Sequence, residues 1–204
     1  MSEGNDAALM QALTTEHFAL QSARAATIME SNGRVALFLG TVSSSVVAMA
    51  LVGQRTSFEE AFYAFALTLL PALIFLGVAT YVRVLQNGLE DLQYARAINH
   101  IRKRYLTLHE DAATLFLLST DETELGAMQG VMSARWQALF TTAGMVAFVI
   151  GVITGVTAGV LCAGPAGLAA GVGAPIGAAA GLAVFGGLLA HQRASWRRMA
   201  ATFE

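Results

Sequence analysis

The sequence predicts an all-α fold: a polytopic helical membrane protein with four transmembrane helices in two hairpins and with amphipathic cytoplasmic helices. Of its 204 residues, 55% are hydrophobic and only 13% are charged, against about 25% charged in an average soluble domain. The apolar residues form four long runs that contain no Asp, Glu, Lys, Arg or His. A bilayer core about 30 Å thick needs about 20 such residues per helix. The lipid bilayer is therefore the predicted surroundings of much of the chain.

The first hairpin is predicted over residues 34–83, after an amphipathic cytoplasmic helix over residues 1–33. Residues 35–53 carry no charge, and a short polar turn over 54–60 leads into the second run, 61–82. Pro71 lies inside that run and predicts a kink, because proline lacks the backbone N–H and clashes with the preceding turn. The serines at 43–45 are expected to bond helix carbonyls or a neighbouring helix.

A cytoplasmic helical segment, 84–136, and a glycine-rich hairpin, 137–191, come next. The middle segment carries an apolar stripe with alternating spacings of four and three: Tyr94, Ile98, Ile101, Tyr105 and Leu108. A helix break is expected over 119–123, after which the helix is expected to run unbroken into the third span, 139–161. Gly164 and Pro165 predict the turn before the fourth span, about 168–190, and 192–204 is a cytoplasmic tail.

Basic residues lie almost entirely on one side of the predicted spans. Of the 12 Lys and Arg residues, all but Arg55 belong to the termini or to the middle segment. Basic segments stay in the cytoplasm, which predicts a multi-pass membrane protein with both termini cytoplasmic. The first thirty residues lack the basic start and short apolar core of a signal peptide. The net charge of −2 gives no reason to expect a nucleic-acid partner.

Glycine recurs at every fourth position in the second hairpin. This spacing places a smooth groove on one helix face, where backbones can approach closely and make dispersion and Cα–H···O contacts. Two hypotheses stay open. The grooves pack the third and fourth spans together within one subunit, or at least one groove faces a neighbouring subunit and builds a homo-oligomer. The glycines are Gly151, Gly155, Gly159, Gly173, Gly177 and Gly181.

The N-terminal helix has a coiled-coil-like seam in which His17 and Arg24 interrupt apolar side chains: Met10, Leu13, Leu20 and Ile28. A partly buried His17 beside Arg24 would titrate near neutral pH and could form a pH-responsive contact. The simpler interpretation makes His17 a hydrogen-bonded packing residue. Arg24 then reaches lipid headgroups or pairs with Glu90 or Asp91.

Two basic clusters are candidates for contact with anionic lipid or a nucleotide phosphate, although such residues more often only fix topology: Arg102, Lys103, Arg104, Arg197 and Arg198. His100 and the trio at 109–111 have residue types that bind zinc or manganese. Adjacent residues on a helix do not point at one centre, so no metal and no cofactor are predicted. Cys162 is the single cysteine and forms no internal disulfide.

The sequence argues against several classes of function. Spans without ionisable residues disfavour a coupled transporter, and the sequence contains no phosphate-binding glycine loop, no His-Glu-x-x-His and no Gly-x-Ser-x-Gly. The predicted function is that of a non-enzymatic membrane protein that self-associates through glycine-zipper helices and receives a signal or partner on its cytoplasmic helices, as a gated pore or membrane-acting effector. An accessory or anchoring subunit of a larger membrane complex is the main alternative, and a small-solute transporter is the third.

Residues 16–34 (EHFALQSARAATIMESNGR), with the Leu-Phe-Leu-Gly at 37–40, resemble small integral membrane proteins of actinobacteria. The resemblance covers mainly the N-terminal quarter. It implies a location in the bacterial inner membrane, but no activity and no site residue. The layout of cytoplasmic helix, transmembrane hairpin and further cytoplasmic helix is similar to that of membrane effectors of bacterial antiphage systems, which impair the membrane when a nucleotide signal or partner arrives. That similarity implies an effector function by architecture alone.

Overall fold

A computed structural model describes residues 2–56, 60–108 and 138–201, and nearly all of them are helical. Four long helices make up this part of the chain: α1 (Ser2–Thr56), α2 (Glu60–Leu108), α3 (Thr142–Ala163) and α4 (Ala170–Ala201). By length and composition, each of the four could cross a membrane. The predicted all-α class and the four apolar helices are therefore confirmed.

The chain divides into two compact units, and α1 and α2 contribute to both. Unit 1 comprises Met1–Glu30 and Gln86–Ser133, and unit 2 comprises Ser31–Leu85 and Ala134–Glu204. Neither helix is interrupted where the chain passes from one unit to the other. Pro71 lies inside α2 without ending it.

Within unit 1, the segments of α1 and α2 lie side by side and run in opposite directions. Arg24 of α1 meets Asp91 of α2, and His17, earlier on α1, stacks on Tyr105, later on α2. The residue numbers fall along one helix as they rise along the other, which is the register of an antiparallel pair. The described members of the apolar stripe predicted on α2 are buried or half-buried: Tyr94, Ile98, Ile101 and Tyr105.

The core of unit 2 combines side chains from α1, α2 and α3, with residues of α4 packed against them. Phe38, Leu70 and Ile150 are each at most 2% exposed. Gly77 lets α2 pack closely against α1 and α3, because a Cβ there would lie 2.8 Å from Ile150 Cγ1 and 3.0 Å from Phe38 Cζ. In a bilayer such a core gains stability from dispersion contacts, since lipid tails are as apolar as the side chains themselves.

Helix α3 begins at Thr142, so the expectation of an unbroken helix running into the third span is wrong. Residues 138–140 are helical and the chain bends at Thr141. The Thr141 backbone is extended, and its Oγ1 accepts a hydrogen bond from the Gly144 N–H at 3.0 Å. A threonine N-cap of this kind satisfies one of the free N–H groups at a helix start. The hydroxyl thus restarts the helix inside an apolar sequence.

The connection between α3 and α4 is a tight turn at Gly164 and Pro165, as expected from the sequence. The Gly164 N–H donates to the Val160 carbonyl and the Leu168 N–H donates to the Cys162 carbonyl, both at 2.9 Å. Gly167 has a φ of 60°, in the left-handed region that favours glycine. Helix α4 then continues through Pro175 to Ala201, so most of the predicted tail is helical.

Candidate functional site

The glycines of α3 and α4 face one another within the chain. A Cβ added to Gly151 would lie 2.9 Å from the Gly181 carbonyl oxygen, and one added to Gly155 would lie 2.9 Å from that of Gly177. In the other direction, a Cβ on Gly177 or Gly181 would lie 2.5 or 2.6 Å from the facing carbonyl oxygen. Since Cβ atoms do not approach so closely, the two backbones are in direct contact. We call these four residues the glycine seam.

The two remaining glycines of the predicted set lie toward the turn, where the helices are less tightly packed. A Cβ on Gly159 would meet nothing within 4 Å, and one on Gly173 would lie 3.1 Å from the Cβ of Cys162. Of the two hypotheses for the glycine spacing, packing between the third and fourth helices of one chain describes the contacts of the glycine seam.

Tyr81 ties α2 to α4 in unit 2. Its side chain is 1% exposed, and its hydroxyl donates to the Leu188 carbonyl at 2.7 Å. The His191 Nδ1 lies 3.3 Å from the same hydroxyl. Because the single tyrosine proton points at Leu188, His191 bonds this oxygen only as an Nδ1–H donor. Three polar groups therefore meet where the apolar part of α4 ends.

Gln192, also 1% exposed, ties α4 to the helix break before α3. Its Nε2 donates to Thr141 Oγ1 at 2.8 Å and to the Ala138 carbonyl at 3.3 Å. The Thr141 hydroxyl donates to the same carbonyl at 3.0 Å. A Cβ on Gly144 would clash with the carbonyl oxygens of Ala138 and Leu139, so glycine is required where the chain folds back on α3.

Sequence reasoning missed both of these tying contacts. Tyr81 and Gln192 stand at the ends of apolar runs, where a polar residue is naturally interpreted as a boundary. The one available signal was Thr141 followed three residues later by Gly144, a spacing compatible with an N-cap and a close backbone approach.

Arg24 forms a bidentate ion pair with Asp91 in unit 1. Its Nε donates to Oδ1 at 2.6 Å and its Nη2 donates to Oδ2 at 3.3 Å. This confirms one of the two carboxylates expected to pair with Arg24. The side chains of Arg24 and Asp91 are 43% and 28% exposed, so the pair contributes on the order of 1 kcal/mol or less.

His17 lies on the same face of α1 and contacts Gln21 and Tyr105. Its Nε2 lies 2.8 Å from Gln21 Nε2, and its ring stacks on Tyr105 with centroids 6.2 Å apart and planes 16° apart. Burial lowers the pKa of His17 below 6.5, and the positive charge of Arg102 lowers it further. Burial and the neighbouring positive charge therefore both favour the neutral form of the ring.

The members of the predicted seam on α1 are half-buried, apart from the last one. Met10, Leu13 and Leu20 are half-buried like the two ionisable residues, but Ile28 is 49% exposed. Thr27 takes its place, with an exposure of 8% and a carbonyl that accepts from Asn87 Nδ2 at 3.4 Å. The alternation of three and four residues simply continues from Arg24 to a polar residue.

The opposite face of α1 exposes an unbroken stripe of mainly small residues. A Cβ added to Gly33 or Gly40 would meet nothing within 4 Å. The alternation of four and three residues runs through both units, and every member is exposed: Ala8, Ala12, Thr15, Ala19, Ser22, Ala26, Met29, Gly33, Ala36, Gly40, Ser43, Val47 and Ala50. We call this the α1 stripe.

The two predicted basic clusters belong to different units. Arg102, Lys103 and Arg104 lie in unit 1, where Arg102 Nη1 donates to Asn99 Oδ1 at 3.4 Å. The other cluster, Arg197 with Arg198, lies on the last turns of α4 in unit 2 and is exposed.

Within residues 2–56, 60–108 and 138–201, no group of three His, Cys, Asp or Glu side chains could hold a metal ion. His100 is exposed on α2. His109, Glu110 and Asp111, the other members of the metal hypothesis, lie outside the described residues.

The four apolar helices define the chain as a helical protein of a kind that can span a membrane. No family model, no curated protein and no solved structure matches it. Its own contacts are therefore the basis for a function.

Proposed function

We propose that this chain is a non-enzymatic integral membrane protein whose unit 1 receives a signal or partner in the cytoplasm and whose unit 2 acts within the inner membrane. The observation that carries the proposal is the continuity of α1 and α2. Each helix runs without a break from an ion-paired, polar pair in unit 1 into the apolar core of unit 2. Shifts and rotations of packed helices are common in switching proteins, and a continuous helix gives such a shift a route between the units.

The contacts within each unit are compatible with the role proposed for it. Unit 1 contains the partly exposed Arg24–Asp91 pair. A charged partner can compete with this interaction at a cost on the order of 1 kcal/mol. Unit 2 contains the glycine seam, in which backbone contacts backbone. The proposed receiving unit is therefore adjustable, while part of the proposed acting unit is closely packed.

We further propose that copies of the chain self-associate through the α1 stripe and that the glycine seam is internal packing. The seam leaves no room for another helix at its tight positions. The stripe crosses the first apolar run, where Leu37 and Leu51 are exposed beside it. Small residues flanked by larger ones let membrane helices approach closely. A gated pore or a membrane-acting effector is the activity that such an oligomer would support.

Cysteine cross-linking in native membranes tests the association. In a Cys162→Ala background, we expect Ser43→Cys, on the α1 stripe, to form a disulfide-linked dimer whose yield survives dilution with excess lipid. Phe75→Cys, which is 77% exposed on α2, is the matched control and should stay monomeric. Dye leakage from liposomes, measured with the same variants, tests whether association is needed to impair a membrane.

Equal cross-linking at the two positions would contradict the proposed face. A monomer that copurifies with another membrane subunit and causes no leakage would instead favour the accessory or anchoring function.

A further inference from the structure

We propose that the helix break before α3 is a hinge with two states: the bent form seen in the structure, held by Gln192 of α4, and a form in which residues 138–144 continue as one helix. The hinge lies within unit 2 and does not depend on the proposed function. In the structure, residues 138–140 are helical, the chain bends at Thr141 and α3 begins at Thr142. A single residue therefore separates two helical stretches.

Two side chains hold the bend by occupying a backbone carbonyl. In a continuous helix the Ala138 carbonyl would accept from the Thr142 N–H. Instead it accepts from Gln192 Nε2 at 3.3 Å and from Thr141 Oγ1 at 3.0 Å. Kinks without proline arise where a side chain enters the hydrogen-bond ladder of a helix in this way, and the sequence has no proline between residues 138 and 163. The bend therefore depends on a contact with α4 and not on a local helix breaker.

Gly144 is the residue that permits the bent form. A Cβ at this position would clash with the Ala138 carbonyl oxygen and would lie 2.7 Å from that of Leu139. In a continuous helix the same Cβ would stand on the outside of the helix, clear of its own backbone. Alanine is also favoured over glycine inside a helix. One added methyl group thus penalises the bent form and favours the continuous one.

An unpaired polar atom limits the preference for the bent form. Gln192 is 1% exposed, and its Oε1 is buried without a hydrogen-bond donor among the described residues. A buried acceptor without a donor raises the free energy of the form that contains it. The N–H groups of Thr142 and Ala143, at the start of α3, have no acceptor within their own helix, and continuing the helix would give them backbone carbonyls. The bent form gains the contacts of Gln192 but gives up these backbone bonds, which brings the two forms close in free energy.

Distances between two spin labels, measured by pulsed electron paramagnetic resonance in detergent, test the hinge. The labels are attached at Phe140→Cys, directly before the bend, and at Ile176→Cys on α4, in a Cys162→Ala background. Both labelled positions are exposed. Ile176 lies about 24 Å along α4 from Gln192, so the label distance reports how the turn before the bend is oriented. We expect one predominant distance in the chain that carries only the labels.

Gly144→Ala should produce a second distance. Because it adds a clash to the bent form and raises helix propensity, it should shift the ratio of the two forms toward the continuous helix by about thirtyfold or more. Gln192→Leu, which removes the contact with Ala138 and adds no clash at Gly144, should shift the ratio in the same direction by about two- to twelvefold. Gly159→Ala is the matched control on α3, since its Cβ would meet nothing within 4 Å, and it should leave the distances unchanged.

The same second distance in Gly144→Ala and Gln192→Leu would support the hinge. An unchanged single distance in both variants would refute it, and so would different new distances in the two, because the hinge has only two states. A second distance in Gly144→Ala alone would refute the role of Gln192. A new distance in the Gly159→Ala control would indicate general loosening of α3 and overturn the assignment to the break. If Gly144→Ala does not fold, Gln192→Leu decides alone.

Discussion

Replacing Gly177 with alanine tests how much the glycine seam contributes to stability. The added Cβ would lie 2.5 Å from the Gly155 carbonyl oxygen, about 0.9 Å closer than an ordinary van der Waals contact. Because both sides of this clash are backbone, the helices must separate. Overpacking costs about 1–3 kcal/mol, and the better helix propensity of alanine offsets at most about 1 kcal/mol. A net loss of about 1–2 kcal/mol lowers the melting temperature by about 2–8 °C in a chain of this size.

Gly159→Ala is the matched control, because its Cβ would meet nothing within 4 Å. We expect its melting temperature to be unchanged or to rise by a few degrees. The single, half-buried Cys162 on α3 provides the assay in detergent, since a thiol-reactive dye labels it as α3 and α4 come apart. If the alanine variants of Gly177 and Gly159 melt together, the close contacts add nothing to stability and the reasoning is wrong.

Three further predictions concern the polar contacts, each followed by thermal unfolding. Since the pKa of His17 is lowered in the folded protein, the unfolded chain binds the proton more readily, so stability falls as the pH drops below about 6.5. His17→Gln should reduce this pH dependence of stability between pH 7.5 and 5. An unchanged profile would contradict the assignment of the dependence to His17. Asp91→Asn should lower the free energy of unfolding by about 1 kcal/mol or less, and by less in high salt. Glu90→Gln should leave it unchanged. Equal effects of the two variants would contradict the assigned ion pair. Gln192→Leu removes one of two donors from both Thr141 Oγ1 and the Ala138 carbonyl and should cost about 0.5–1.5 kcal/mol. A variant as stable as the wild type would show that this contact does not hold α4 to the break.

The four helices could be predicted because their signal is carried by length and charge alone. Residues 35–53 carry no charge on any face, so any fold that buries them or exposes them to lipid satisfies the pattern. For the same reason the sequence could not say which face of a span is covered. Phe38 is 1% exposed while Leu37, one position earlier, is 75% exposed, although both are equally apolar. The packed face of a membrane helix is decided by neighbours, not by polarity.

The polar helices of unit 1 were more predictable, because polarity does distinguish their faces. The spacing from Met10 to Arg24 indicated the covered side of α1. The sequence offered Glu90 or Asp91 as a partner of Arg24, and the structure shows the pair with Asp91. The spacing failed at Thr27, because this residue is buried although it is polar, and a pattern of apolar residues cannot identify it. The break at Thr141 was missed for a related reason: a threonine between apolar residues suits a helix interior as well as a cap.

The glycine seam also limits the conformational entropy that α3 and α4 lose when they pack together. Glycine has no side-chain rotamers to immobilise, and the contacts between Gly151, Gly155, Gly177 and Gly181 are made by main chain already fixed in each helix. Docking of the two helices therefore carries almost no side-chain entropy penalty at these positions. Dispersion forces between α3 and α4 are therefore opposed by less lost side-chain entropy here than at a contact between large side chains.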